Sequence, residues 1–253
     1  AYVGSEGQES LDRLVAGGVA AAHGALREAD GATSAGGPFQ TERAVYLQAV
    51  RSGERRAALN IALEALRAGA AVPDIYADIL QPVQYEIGRL WERNEIPVAE
   101  EHMATAITQY VVGHLYAHLD IPERSCGNAL VTGVEGELHQ LGANMVADVL
   151  EADGWNVRFL GTQLPHRGIL QAVEEHQPKL VGISATVLSN LPAVADLVAD
   201  IRRVSGPDLF VLVGGAAFRT SPEVWRDMGA DGFGRDLREA VALAGGLGRR
   251  GEA

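Results

Sequence analysis

A carboxylate and a histidine lie two residues apart in this chain, at Glu137 and His139. A neutral imidazole is a good ligand for a transition metal, and a carboxylate that accepts its other N–H fixes the tautomer and raises the basicity of the ring. The pair follows an aliphatic run, Ala129–Val134, and precedes Gly142, whose missing side chain would let the next helix approach closely. His139 is therefore a candidate metal ligand with Glu137 orienting it, although such a histidine also suits a structural role.

Small residues follow two later aliphatic runs. One run ends in Ser184-Ala185-Thr186 and the other in Gly214-Gly215. If the runs are adjacent parallel strands, a small hydroxyl and two residues without side chains would leave a narrow slot at the carboxyl ends of the strands, where open α/β sheets bind ligands. The glycine pair also suits an ordinary turn.

The elements that must position these residues alternate in type. Aliphatic and β-branched runs predict strands over Ala129–Val134, Asn156–Leu160, Leu180–Ser184, Leu209–Val213 and Gly232–Phe233. Apolar residues at helical spacing predict helices over Gly142–Asp153, Pro165–His176, Leu191–Val204, Pro222–Met228 and Asp236–Ala244. This order predicts an α/β domain over 127–247, a doubly wound five-stranded parallel sheet of Rossmann-like, flavodoxin type.

The chain before residue 120 has a different pattern. Helical spacing over Arg55–Ala68, Pro73–Arg93 and Val98–Leu119 predicts a bundle of four or five helices within 41–120. Residues 1–40 read as a tail and one helix, Leu11–Ala29. The sequence therefore predicts an N-terminal helical bundle followed by the α/β domain.

Composition and charge exclude several classes of protein. Hydrophobic residues make up 47% of the chain, the net charge is −12, and Cys126 is the one cysteine. We expect an inert thiol at Cys126, no direct nucleic-acid binding, no membrane span and a cytoplasmic location. His114 and His118 lie one turn apart on a predicted helix, but without a third ligand they are better explained as an ordinary surface pair.

Taken together, the three clusters resemble the cobalamin-binding fingerprint of methionine synthase and its relatives, Asp-x-His-x-x-Gly, Ser-x-Leu and Gly-Gly. The resemblance implies that His139 binds cobalt and that Ser184, Gly214 and Gly215 line the nucleotide tail of the cofactor. Glu137 replaces the aspartate, and its extra methylene predicts a longer or water-bridged contact with His139. Thr186 replaces the leucine.

A second resemblance lies in the predicted bundle. Trp91 is followed after nine residues by Glu101-His102, with Val98 between them, and this pattern resembles the CarH family of adenosylcobalamin photoreceptors. The resemblance implies a helical cap in which these residues enclose the upper adenosyl group of the cobalamin. The chain departs from that family in having Glu92 where a histidine follows the tryptophan, and in lacking room for a DNA-binding domain of the MerR type.

The resemblance to CarH implies a light-responsive adenosylcobalamin sensor that is not an enzyme and signals through an unknown protein partner or through self-assembly as a homo-oligomer. A bilin such as biliverdin, as in photocobilins, is an open second chromophore. The alternative is a corrinoid methyl carrier of a methyltransferase system. A third reading is a scaffold whose cobalamin slot is vestigial.

Overall fold

The computed structural model of the protein describes residues 38–219 and 223–248. These residues divide into two compact units that meet in sequence at the Ile121–Pro122 bond. The helix predicted over Leu11–Ala29 lies outside the described residues. Among the described helices, none combines the length and the apolar character needed to cross a membrane.

The first unit is a bundle whose described helices are α1 (Gln40–Arg51), α2 (Arg55–Arg67), α3 and α4 (Val98–Leu115), with a 3-10 turn at Tyr116–His118. Helix α3 runs without a break through Val72–Ile75, a π-helical turn at Tyr76–Leu80, and Gln81–Glu92. Pro82 explains the π turn, because proline has no N–H to donate and its ring crowds the carbonyl four residues earlier. The wider turn lets the Gln81 N–H donate to Tyr76 O instead.

A buried hydroxyl joins three helices of this bundle. Thr108, on α4, accepts a hydrogen bond from the Tyr46 hydroxyl of α1 at 3.1 Å and another from Gln84 Nε2 of α3 at 2.7 Å. Its own hydroxyl donates to Ala104 O at 3.0 Å. Burial raises the pKa of Tyr46 well above its usual range, so the tyrosine stays protonated and keeps donating. The buried polar groups are thereby satisfied, and they fix how α1, α3 and α4 pack.

The second unit alternates strands and helices, as predicted. The strands are β1 (Gly127–Gly133), β2 (Trp155–Gly161), β3 (Leu180–Ser184), β4 (Phe210–Gly214) and β5 (Gly232–Gly234). The helices are α5 (Leu141–Ala152), α6 (His166–His176), α7 (Leu191–Ser205), α8 (Val224–Asp227) and α9 (Leu237–Gly248). Short 3-10 turns occupy Leu188–Asn190 and Ala216–Phe218.

The five strands form one parallel sheet in the order β2-β1-β3-β4-β5. Alternate residues of each strand face opposite sides, and each side has its own core. Leu130, Val181 and Val211 pack with α6 and α7, whereas Ala129 and Val131 pack with α5 and α9. The predicted fold, a helical region followed by a doubly wound parallel sheet of Rossmann-like type, is confirmed. Strand ends differ from prediction by one or two residues, and the helix predicted over Pro222–Met228 shortens to α8.

Candidate functional site

The order in which strands are added to the sheet reverses between β1 and β3. The chain moves outward from β1 to β2, crosses back to β3, and continues outward through β4 and β5 on the other side. The loops that follow β1 and β3 therefore diverge and leave a crevice at the carboxyl ends of these strands. His139 lies in the first of these loops, and Thr186 lies in the second.

Glu137 joins the two loops. Its side chain is completely buried. One oxygen, Oε1, accepts from the His139 backbone N–H at 2.9 Å and contacts His139 Nδ1 at 2.6 Å. The other oxygen, Oε2, accepts from the Thr186 N–H at 2.6 Å and from Asn190 Nδ2 at 3.0 Å. A single carboxylate thus receives four hydrogen bonds and ties both sides of the crevice together.

These hydrogen bonds determine the protonation of the pair. Burial by itself would raise the pKa of Glu137, but the bonds from the His139 side chain, the two backbone amides and Asn190 outweigh it and lower that pKa to about 2. An ionised carboxylate can only accept, so His139 Nδ1 carries a proton and donates it. Nε2, across the ring, is then the basic nitrogen and the candidate metal ligand. The His139 side chain is 53% exposed while its partner is buried.

Two departures from the fingerprint have a structural explanation. The predicted longer or water-bridged contact between Glu137 and His139 is wrong, because the two groups meet directly at 2.6 Å. Glu137 Cγ, the extra methylene, packs beside Gly133, where an added Cβ would lie 2.7 Å from Thr162 Cγ2 and 3.3 Å from Glu137 Cγ. Thr186 contributes its backbone N–H to the carboxylate, a contact that leucine would also make.

Sequence reasoning missed Asn190 as a member of this cluster. The residue precedes α7 in the sequence Asn-Leu-Pro, which is typical of a helix cap. Its side chain makes no capping hydrogen bond and turns instead to Glu137. A second missed contact joins Gly136 to the loop after β2, since its N–H donates to Gln163 Oε1 at 3.0 Å. The histidine loop is therefore braced from both neighbouring loops.

Small residues do line up at the carboxyl ends of the strands. Ser184 is paired with Gly133 on one side and with Gly214 on the other, and Gly214 is paired with Gly234. The row has one side chain among four residues. An added Cβ at Gly133 would lie 2.7 Å from Thr162 Cγ2, and one at Gly234 would lie 2.9 Å from Ala240 Cβ, so protein atoms already occupy the space beside these two glycines. Gly133 and Gly234 were not predicted as part of it.

Gly215 meets a steric requirement of the backbone, and its place beside the nucleotide tail stays a prediction. Its φ is +101°, and an added Cβ would lie 2.2 Å from the Ala185 carbonyl oxygen. Glycine is required there because the ends of β3 and β4 approach each other closely. At Gly142, by contrast, an added Cβ would meet no protein atom within 4 Å among the described residues. Gly142 is exposed, so the packing of α5 against the described residues does not require a glycine there.

Four candidate residues lie in the first unit: Glu101 and His102 contact each other, and Trp91 and Val98 are exposed. Nδ1 of His102 lies 2.5 Å from Glu101 Oε2, so the structure brings these two together. Thr105 bonds Glu101 Oε1 at 3.0 Å. Trp91 and Val98 are 47% and 53% exposed. The roles predicted for these four candidates stay predictions.

Other candidates have simpler explanations. His114 is held within its own helix, with Nδ1 2.8 Å from Tyr110 O and its ring against the tyrosine. Cys126 lies before β1 and contacts Asp153 O. Among residues 38–219 and 223–248, no three histidine, cysteine or acidic side chains come together to hold a metal ion.

Comparison with known families defines the class. Residues 127–242 match the family model described as "B12 binding domain", and residues 43–116 match a second model with the same description. The donor set agrees, since a single carboxylate-oriented imidazole and an open crevice fit a metal already held in a macrocycle. Cobalamin binding is the function that both matched regions support.

Particular relatives are corrinoid proteins. Dimethylamine corrinoid protein 3 of Methanosarcina acetivorans is 28% identical over 189 residues, which are 72% of this chain and 86% of the relative. Its namesake in Methanosarcina mazei is 28% identical over 165 residues, 63% of this chain and 96% of the relative. The solved monomethylamine corrinoid protein of Methanosarcina barkeri covers 83% of this chain and 99% of its own, with 23% identity and a TM-score of 0.73. That likeness shows the shared fold.

These comparisons correct the resemblance to CarH. The relatives are corrinoid proteins, so the predicted membership of a photoreceptor family is wrong, and so is the predicted light-responsive sensor. The spacing from Trp91 to His102 lies within 43–116, a region that matches a B12 binding domain model, and it does not single out a photoreceptor. The predictions of an adenosyl ligand and of a bilin depended on the resemblance to CarH, so the comparisons support neither of them.

Proposed function

We propose that this protein is a corrinoid methyl carrier that serves a methyltransferase, with His139 as the axial ligand of cobalt. The observation that carries the proposal is the buried Glu137 carboxylate, which lies 2.6 Å from His139 Nδ1. This pair lies where the strand order reverses, in a domain that matches a B12 binding domain model. The corrinoid names of the relatives support the carrier role. Bound cobalamin would supply a cobalt that receives a methyl group in one reaction and gives it up in another.

Residues of this chain would hold that cobalt and fix the protonation of its ligand. Glu137 holds the proton of His139 on Nδ1, which leaves Nε2 as the basic nitrogen that would bind the metal. Asn190 and the Thr186 amide keep the carboxylate ionised and in place. Ser184 and Gly214, which are paired at the ends of β3 and β4, would line the nucleotide tail. None of these groups attacks a substrate, so the chemistry on the methyl donor would belong to a partner methyltransferase, and this chain would not be an enzyme on its own.

Electron paramagnetic resonance tests the ligand directly. The protein is loaded with cobalamin, the cobalt is reduced to its paramagnetic divalent state, and histidine is labelled with the heavy nitrogen isotope. We expect the splitting from the axial nitrogen to change with the label, and we expect His139→Ala to abolish that change. His118→Ala, at an exposed histidine of the first unit, is the control. A splitting that ignores the label would show that the cofactor keeps its own base and would overturn the proposed ligation.

Cofactor preference tests the carrier role. A carrier should retain methylcobalamin and hydroxocobalamin through gel filtration, with no dependence on the bulky adenosyl group. Retention of adenosylcobalamin alone would contradict the proposal.

A further inference from the structure

Gln163, in the loop between β2 and α6, has an unusual backbone conformation. Its φ is +62°, in the left-handed region that residues with a side chain rarely adopt. Among the described residues of the second unit, Gln177 is the other non-glycine residue with positive φ, and it ends α6, where a left-handed residue is common. Gln163 lies between a strand and the start of a helix, so no helix end explains its conformation. Strained residues of this kind persist where their surroundings hold them, and they concentrate at functional sites.

The residues that follow Gln163 hold its loop in place. Leu164 packs against the core that the sheet shares with α6 and α7. His166 Nε2 lies 2.9 Å from Asp200 Oδ2, which ties the start of α6 to α7. Pro165 restricts φ between these two anchors. Relaxing Gln163 would require one of these contacts to move, so the fold maintains the strained conformation.

The side chain of Gln163 reaches a turn in the histidine loop. Its Oε1 accepts a hydrogen bond from the Gly136 N–H at 3.0 Å. Gly136 is the third residue of a four-residue turn, which is closed by the hydrogen bond from the Glu137 N–H to Val134 O at 3.1 Å. Its φ of +88° is close to the value of about +80° for the third residue of a type II turn. Gln163 therefore contacts the central peptide of this turn.

The orientation of the central peptide distinguishes the two common types of turn. Types I and II differ by a flip of the peptide between the second and third residues, which here are Glu135 and Gly136. In the observed form the Gly136 N–H donates to Gln163, and a flip would point that N–H away and lose the hydrogen bond. The hydrogen bond therefore favours one of two turn forms directly before Glu137, the residue that orients His139.

We propose that Gln163 is a positioning residue for the histidine loop, and, under the ligation proposed above, for the ligand of cobalt. By holding the central peptide of the turn, Gln163 keeps the backbone of Glu137 and His139 in the arrangement in which the carboxylate meets Nδ1 at 2.6 Å. It acts from the loop after β2, so its contribution is separate from the contacts that the loop after β3 makes with Glu137.

Gln163→Gly tests this role, because glycine favours the observed backbone and removes the side chain alone. Gln177→Gly is the matched control. It makes the same change at the other left-handed glutamine, whose side chain also bonds a backbone group, Glu174 O, at 2.9 Å. Gln163→Glu keeps an acceptor oxygen and should behave as the unaltered protein does. Near-UV circular dichroism checks that each variant is folded.

Nuclear magnetic resonance of the cofactor-free protein, with histidine labelled with the heavy nitrogen isotope, shows which ring nitrogen of His139 carries the proton. We expect Gln163→Gly to lower the ratio of Nδ1-protonated to Nε2-protonated ring by about fivefold, the factor that corresponds to one ordinary hydrogen bond. Gln177→Gly and Gln163→Glu should leave this ratio unchanged. In protein loaded with cobalamin, we expect Gln163→Gly to lower the ratio of histidine-ligated to unligated cobalt, measured by electron paramagnetic resonance, by a similar factor.

The outcomes separate the role of Gln163 from the proposed ligation. If the unaltered protein shows no histidine nitrogen on cobalt, the proposed ligation fails, and the ratio measured without cofactor still decides whether Gln163 positions the loop. If Gln163→Gly leaves that ratio unchanged, or if Gln177→Gly changes it equally, the positioning role is overturned. A change in Gln163→Glu as large as the one in Gln163→Gly would also overturn it, because the acceptor oxygen would then have no effect.

Discussion

Replacing Glu137 with glutamine tests the central contact of the site. Glutamine has nearly the same shape, but it offers one acceptor oxygen where the carboxylate offers two. Its NH₂ group would therefore face donors, either those of His139 or those of Thr186 and Asn190. A buried donor left without an acceptor costs about 1–3 kcal/mol, so we expect Glu137→Gln to destabilise the second unit by roughly 3 kcal/mol at neutral pH.

The pKa of Glu137 gives an independent magnitude. That pKa is about 2 in the folded protein against an ordinary value of 4.5. At about 1.4 kcal/mol per pH unit, the ionised carboxylate stabilises the fold by roughly 3 kcal/mol. Because the folded pKa is the lower one, this stabilisation is complete above pH 4.5 and is lost as the pH falls toward 2. Glutamine does not titrate, so the difference in stability between the two proteins should shrink by about 2 kcal/mol between neutral pH and about pH 3.

Urea unfolding followed by near-UV circular dichroism measures both quantities. Glu135→Gln is the matched control, because Glu135 lies in the same loop but is exposed, and its replacement should change stability by less than about 0.5 kcal/mol. The reasoning is refuted if Glu137→Gln and Glu135→Gln lose the same stability at neutral pH. It is also refuted if the difference between the unaltered protein and Glu137→Gln does not change with pH.

Two further substitutions test packing. Gly215→Ala places a Cβ 2.2 Å from the Ala185 carbonyl oxygen at positive φ, so we expect a loss of more than about 3 kcal/mol, whereas Gly229→Ala, also at positive φ but with open space, should cost about 1 kcal/mol. Equal urea midpoints for the two would contradict the close approach. Thr108→Val removes the acceptor of the buried Tyr46 hydroxyl and should destabilise the bundle by about 2–3 kcal/mol in thermal unfolding, and a loss below about 1 kcal/mol would show that the tyrosine finds another partner.

The sequence predicted the parallel sheet because short aliphatic and β-branched runs alternate with segments of helical spacing along the chain. Leu130 and Val131 face opposite cores, and the β-branched runs are bounded by glycines and polar residues. His139 could be singled out because its loop directly follows the first strand. The burial of Glu137 could not be predicted, since a glutamate in a Gly-Glu-Leu-His loop has every local sign of being solvated. Its partners are supplied by another loop, and Asn190 has the sequence signature of a helix cap.

The predicted photoreceptor function is wrong for a related reason, because it rested on a local sequence pattern. The spacing from Trp91 to His102 describes one helix end and the start of the next, and such a local pattern carries no information about the upper ligand of a cofactor. The π turn in α3 was also missed, although Pro82 inside a helical pattern is a signal that the hydrogen-bond ladder must change there.

The contacts of Glu137 span long stretches of chain, and this sets when the imidazole of His139 becomes aligned. Thr186 and Asn190 lie 49 and 53 residues beyond the carboxylate that they hold. Contacts of such sequence separation form late in folding, because a long loop must close before they can contribute. During synthesis, the histidine loop leaves the ribosome well before the residues that orient it. The chain therefore gains an aligned imidazole only after β3 has docked beside β1, and under the proposed ligation cofactor loading would follow completion of the fold.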